Sequence, residues 1–103
     1  MNNDTENLSF GDAIEALNQG KRVARTGWNG KGMFLFLLAA GTIPLTAIHD
    51  PKLREVLQAE LPEGSTHFEA LPSIRMWTAD KKVLTGWLAS QTDIFANDWC
   101  ILP

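Results

Sequence analysis

Cysteine is almost missing from this chain: Cys100 stands alone among 103 residues, so an intramolecular disulfide is excluded. One thiol and two histidines, His49 and His67, cannot supply a thiolate-rich zinc site, and both histidines read as surface or loop residues. A lone cysteine fits a reducing cytosol. The first ten residues are mostly polar and show no secretory signal. The longest apolar run, residues 33–40, is far too short to cross a bilayer, so no membrane partner is expected. There is no Walker loop. Gly27-x-x-Gly30-x-Gly32 is not the dinucleotide fingerprint, which needs another order and a following helix. No serine sits in a recognisable nucleophile turn. Catalysis, a metal and a cofactor are therefore not expected.

Charge of one sign is also missing locally. No acidic residue lies between Glu15 and Asp50, whereas Lys21, Arg22, Arg25 and Lys31 do. That stretch is either a solvated basic edge or a rim that attracts anions. The formal net charge of −3 argues against polymeric nucleic acid as a partner. With 45% hydrophobic and 20% charged residues the chain is globular. Its length suits one domain, residues 9–103, behind a loose tail of residues 1–8. The core must be small, so oligomerisation would help it.

Local signals then place the elements. Ser9 and Asp12 have capping-box spacing. Phe10, Ala13, Ile14 and Leu17 form one helical stripe, and Gly20 is placed to end it in a left-handed conformation. Residues 21–25 alternate as a short half-exposed strand. Residues 33–38 read as a strand buried on both faces, or on one face and at an interface. Asp50-Pro51 opens a second helix through Leu53, Val56, Leu57 and Leu61, closed by Pro62 and Gly64. Residues 72–78 and 82–87 read as strands joined around Ala79-Asp80-Lys81. Residues 90–96 read as a capped helical turn, and residues 99–102 as a last strand. The expected fold is α+β: an N-terminal helix packed on a small, mostly antiparallel sheet, with an additional short central helix.

The chain has four tryptophans and no tyrosine. Most of the tryptophans should be core, because each buries a large area. Trp28 is the candidate exception. It lies with Asn29 among Gly27, Gly30 and Gly32 and between Arg25 and Lys31, just before an apolar strand. Glycines let a ligand approach the backbone closely. An indole, amides and cations together suit a small nucleotide-like molecule. Ser90, Gln91, Thr92 and Asp93 form a second polar cluster, either a helix cap or a set of groups for ribose hydroxyls or a base edge; both can hold at once.

In this order the residues resemble a known family. Ser9-Phe10-Gly11-Asp12-Ala13-Ile14, Gly27-Trp28-Asn29-Gly30-Lys31-Gly32-Met33 and Trp87-Leu88-Ala89-Ser90-Gln91-Thr92-Asp93 look like the second Thoeris anti-defence family, and the likeness runs from Ser9 to Leu102. The resemblance implies a bacteriophage protein working in the cytoplasm of the infected bacterium. It would sequester, without degrading, a cyclic ADP-ribose isomer made by a Toll/interleukin-receptor-type defence enzyme. It also implies a homotetramer with pockets between protomers and, in some members, cyclic dinucleotides at separate sites. On the matching positions, Trp28 would stack the adenine, and Asn29 would fix the turn or donate to the ligand. Phe10 and Met33 would line the apolar side, and Arg25 would face the pyrophosphate. Ser90, Gln91, Thr92 and Asp93 would contact riboses or the base. Two features depart from the family pattern: residues 48–61 look like a helical insertion where a short loop is expected, and Trp77 replaces a polar or charged residue. Such a helix could act as a lid, add to an oligomer contact or block a secondary site, and it disfavours a cyclic dinucleotide relative to a cyclic ADP-ribose isomer. Two other classes stay open: a module that blocks a host protein directly, and an enzyme that cleaves the nucleotide.

Overall fold

The computed structural model describes residues 5–28 and 30–103. In chain order the elements are α1 (Phe10–Asn18), β1 (Val23–Arg25), β2 (Phe34–Leu38), β3 (Gly41–Pro44), a 3-10 turn (Leu45–Ala47), α2 (Pro51–Glu60), β4 (His67–Ala70), β5 (Ser73–Trp77), β6 (Val83–Thr85), α3 (Gln91–Ile94) and β7 (Trp99–Ile101). This is the α+β architecture expected. The chain divides into two compact units, one made of Ala40–Pro72 and the other of the residues before and after it.

The larger unit carries a five-stranded antiparallel sheet in the order β6-β5-β2-β1-β7. Val23 opposes Leu35, and Leu35 opposes Met76. Directly opposed residues point to one face of a sheet, so these three form a row. Ala13, Ala16 and Leu17 of α1 meet that row, and Trp99 completes the core. Val23, Leu35 and Trp99 are fully shielded from solvent. The helix starts where its capping box predicts: Ser9 Oγ accepts from Asp12 N–H, and Asp12 Oδ2 accepts from Ser9 N–H, each at 3.1 Å. It stops at Gly20, whose φ of +84° is the left-handed geometry glycine adopts at low cost.

Two expectations need correction. The strand expected over residues 21–25 is shorter: Lys21 and Arg22 are exposed and precede it, and within β1 Val23 and Ala24 are both buried, because β1 lies between β2 and β7 rather than at an edge. Of the two readings of β2, burial on both faces does not hold within the protomer. Leu35 is enclosed and Leu37 packs on the core, but Leu38 keeps 39% of its surface exposed. The opposite face carries Phe34 and Phe36, with Trp77 stacked near Phe34 at 6.4 Å between ring centroids. The Arg22 guanidinium lies 4.9 Å over the Phe34 ring, a cation–π contact. Thr5 and Leu8 are tied to the last strand: Ile101 N–H donates to Thr5 C=O, and Leu8 and Trp99 exchange backbone bonds.

The smaller unit pairs β3 with β4 in antiparallel register, from Gly41 opposite Ala70 to Pro44 opposite His67. Asp50 caps α2 by accepting from Lys52 and Leu53 N–H, and Pro51 fills the first helical turn. Leu45, Thr46, Ile48, Arg54, Leu57 and Gln58 line an open cavity of about 250 Å³ within this unit. Among the described residues no helix is long and apolar enough to cross a membrane.

Candidate functional site

Four aromatic side chains build the site from the core outward. Trp99, with no exposed surface, is the hub. Trp28 lies edge-on to it at 5.5 Å, Trp87 edge-on at 6.3 Å, and Phe10 tilted at 5.5 Å. Trp28 and Trp87 also meet edge to face at 6.3 Å. The edge-on pairs have the geometry that aromatic quadrupoles favour. Trp28, Trp87 and Phe10 are half-buried around the enclosed Trp99, and Met33 is half-buried against the same core, so each retains some exposed surface.

A charged group locks this cluster. Arg25 Nε donates to Asp98 Oδ1 at 2.8 Å, and its Nη1 donates to Asp93 Oδ1 at 2.7 Å. The same Asp93 oxygen accepts from Trp28 Nε1 at 3.3 Å. The second Asp93 oxygen accepts from Ser90 N–H at 3.0 Å, and Ser90 Oγ accepts in return from Asp93 N–H. Trp99 Nε1 donates to the Asp93 carbonyl at 2.9 Å. Asp98 Oδ2 accepts from Gly27 N–H at 2.8 Å. Asp93 thus caps α3, pairs with Arg25 and orients Trp28 at the same time.

The protonation states follow. Burial works to raise the Asp93 pKa, but bonds from Ser90, Arg25 and Trp28 outweigh it and leave the carboxyl below its usual range. The Arg25 bond, with Gly27 N–H behind it, lowers Asp98. Bonds to Asp98 and Asp93 raise Arg25 further. The trio is fully ionised at neutral pH and carries one net negative charge.

Arg25 therefore has Nε and Nη1 engaged by carboxylates, in a group whose net charge opposes an anion. Phe10, Trp28 and Met33 each pack against the core, and Asp93 is tied to Trp28 by the indole bond and to Ser90 by the capping box. Gln91 and Thr92 lie exposed on α3, with Thr92 Oγ1 2.9 Å from Ser90 Oγ. Asn29 lies outside the described residues. His49 and His67 are exposed, and among the described residues no group of three His, Cys, Asp or Glu is placed to hold a metal ion. Sequence reasoning missed Trp87 and Asp98 as parts of this site. The abundance of tryptophan was a signal for the first; the second had only its place next to Trp99.

Gly27 and Gly30 are glycines for reasons of space. A Cβ on Gly30 would overlap Met33 Sδ and approach Ala79 Cβ to 2.9 Å. A Cβ on Gly27 would sit 2.6 Å from Asp98 Oδ2, an oxygen that cannot yield without releasing Gly27 N–H and disturbing Arg25. Gly27→Ala is expected to cost about 1–2 kcal/mol, roughly one lost charge-assisted hydrogen bond. Thermal unfolding should then fall by about 5–15 °C; an unchanged midpoint would mean that Asp98 has room to move.

This arrangement sits within a stretch that matches a known family. The model of the Thoeris anti-defense 2-like domain matches residues 8–102. The chain belongs to the Thoeris anti-defense 2-like family. Among its relatives is Thoeris anti-defense 2 of Bacillus phage SP01, 38% identical over 99 residues, covering 92% of this chain and 94% of the relative. In this member of the family, the matched span includes every residue of the aromatic cluster and of the Arg25–Asp93–Asp98 group.

Proposed function

We propose that this chain is an anti-defence protein that captures a cyclic ADP-ribose isomer in the cytoplasm of an infected bacterium and holds it without cleaving it. The observation that carries the reading is the Trp28 indole, half-buried beside Trp87 and fixed through Nε1 by Asp93. A stacking surface held in advance loses little freedom on binding, and a cyclic ligand has little to lose. The relative's name, an anti-defense protein of a phage, supports the biological role.

Capture must be tight to starve a receptor. Nanomolar affinity corresponds to roughly −12 kcal/mol, whereas one stacked base supplies ~1–3 kcal/mol. The remainder requires enclosure, and a second protomer is its natural source. Leu88 and Phe95, on either side of the Ser90–Asp93 capping box, are 88% and 76% exposed. Large apolar side chains this open on a small chain suit a homo-oligomer, in this reading a tetramer, whose subunits close over the ligand. Arg25 then acts as a positioning residue that holds Asp93 and, through it, Trp28. In this reading Lys31, exposed in the glycine turn, meets the pyrophosphate in its place, and Ser90, Gln91 and Thr92 offer hydroxyl and amide groups to the riboses. Cyclic dinucleotides at a separate site remain a second part of the proposal.

The experiment is recovery of the captured molecule. The protein is incubated with a cyclic ADP-ribose isomer, freed of unbound ligand, and heated, and the supernatant is chromatographed. Intact ligand in near-stoichiometric amount is expected. Linear ADP-ribose would mean a hydrolase, and no uptake would favour a module that acts on a host protein.

A further inference from the structure

Beyond the Asp50 cap, the charges within α2 run against its own dipole. A helix favours acidic residues in its first turn and basic ones in its last. Here the first turn carries Lys52 and Arg54, and the last ends on Glu60. None of the ten residues of α2 is fully buried, and two of its apolar side chains face water: Leu53 is 37% exposed and Val56 45%. Leu57, Arg54 and Gln58 line the cavity, and Arg54 Nη2 donates to the Ile48 carbonyl, so that side of the helix is occupied within its own unit. At 100° per residue, Lys52, Leu53, Val56, Ala59 and Glu60 fall together on the other side. That stripe is basic at one end, apolar in the middle and acidic at the other.

Such a stripe is its own complement when turned end for end. We propose that α2 pairs antiparallel with the α2 of a second copy of this chain, about a two-fold axis passing beside Val56. The two Val56 side chains meet on the axis. Leu53 of each copy covers Ala59 of the other, and Lys52 of each meets Glu60 of the other. An isologous contact of this kind satisfies every group twice. Antiparallel packing also sets each helix's unfavourable terminal charges against the opposite charges and dipole of its neighbour. The bond of Lys52 Nζ to Glu55 Oε1, at 3.3 Å between side chains 77% and 70% exposed, is a weak surface pair that leaves Lys52 able to turn to the other copy. A ten-residue helix is about 15 Å long. It is too short to bury the roughly 800 Å² per partner of a standard interface, so the pairing is a salt-sensitive contact added to whatever else joins the subunits. It does not depend on what Trp28 holds.

The test is a charge exchange read by sedimentation equilibrium at low salt. Lys52→Glu and Glu60→Lys should each weaken self-association about tenfold, because each places like charges across the axis twice. An equimolar mixture of the two variants should recover wild-type association, since every Glu then faces a Lys. Glu60→Lys alone should keep or slightly raise the thermal stability of the unit, because it corrects the helix dipole, and Lys52→Glu should change it little, because the dipole gain is offset by the lost Glu55 pair and the nearby Asp50; a purely structural role for these residues predicts no such split from association. A second measurement is independent of any other subunit contact. In a Cys100→Ser background, Val56→Cys should oxidise to a covalent dimer, whereas Gln58→Cys, on the cavity side, should not. Association that ignores both charge reversals, a mixture that fails to recover it, or equal cross-linking at both positions would overturn the pairing. Loss of ligand capture in the recovery experiment would leave these readouts untouched.

Discussion

Asp93→Ala is expected to destabilise the fold by about 3–5 kcal/mol, the range for breaking one side of a buried ion pair. Three losses coincide. The Arg25 side chain, only 17% exposed, would keep Asp98 but lose its second carboxylate. Trp28 Nε1 would lose its acceptor, and Ser90 N–H would lose the returning half of the capping box. A domain of this size has about 5–15 kcal/mol in total, so the midpoint of thermal unfolding should fall by roughly 15 °C or more. Asp93→Asn keeps the shape and can still accept bonds, so it should cost less; an equal cost would place the effect in charge alone. Arg25→Ala should be comparably harmful, because it leaves Asp93 and Asp98 facing each other without a cation.

The same group sets an acid limit. Asp93 and Asp98 titrate below their unfolded values, so their contribution to stability is complete above the ordinary carboxylate range, near pH 4. It is lost as pH falls through the lower folded values, where the folded state must take up protons to keep pace with the unfolded chain. Arg25 is raised from a value already above the working range and adds no dependence there. Wild-type stability should therefore drop below about pH 4. The gap between wild type and Asp93→Ala should narrow over the same interval. A constant gap, measured by denaturant unfolding from neutral pH to pH 2, would mean that the charge on Asp93 contributes nothing.

What could be read in the sequence was local. Both capping boxes, Ser9 with Asp12 and Ser90 with Asp93, involve residues three apart and are formed as their spacing predicts. Asp50-Pro51 starts α2 for the same reason, and the turn between β5 and β6 is closed around Lys81 in the left-handed region. What escaped was distant. Asp98 and Asp93 reach Arg25 from 73 and 68 residues away, so a stretch free of acidic residues looked like an unpaired basic rim. The β3–β4 pair joins Thr42 to Glu69 across 27 residues, and its strands, shortened by Gly41 and Pro44, lack the long apolar alternation that marks a strand. Trp28 was legible as special through its glycines, but its dependence on Asp93 was not, because nothing near it in sequence names an acceptor.

That dependence shapes the sharpest test of function. Trp28→Ala should reduce uptake of a cyclic ADP-ribose isomer by at least about 5–150-fold, the range equivalent to a stacked base. It should also cost stability. The indole packs edge-on against Trp99 and Trp87, although its partial exposure puts the cost at or below the low end of the ~3–5 kcal/mol typical of a buried aromatic. Two readouts are needed because the two losses have different causes. Trp28→Phe separates them: it keeps a ring for stacking but removes the Nε1 donor to Asp93. Stability should drop by about 0.5–1.5 kcal/mol, the net worth of one hydrogen bond, while calorimetric titration still finds most of the affinity. If instead Trp28→Ala binds as tightly as wild type once its folded fraction is accounted for, the indole serves the core alone. The ligand surface would then have to be sought on Trp87 and Phe10, which share the same buried hub.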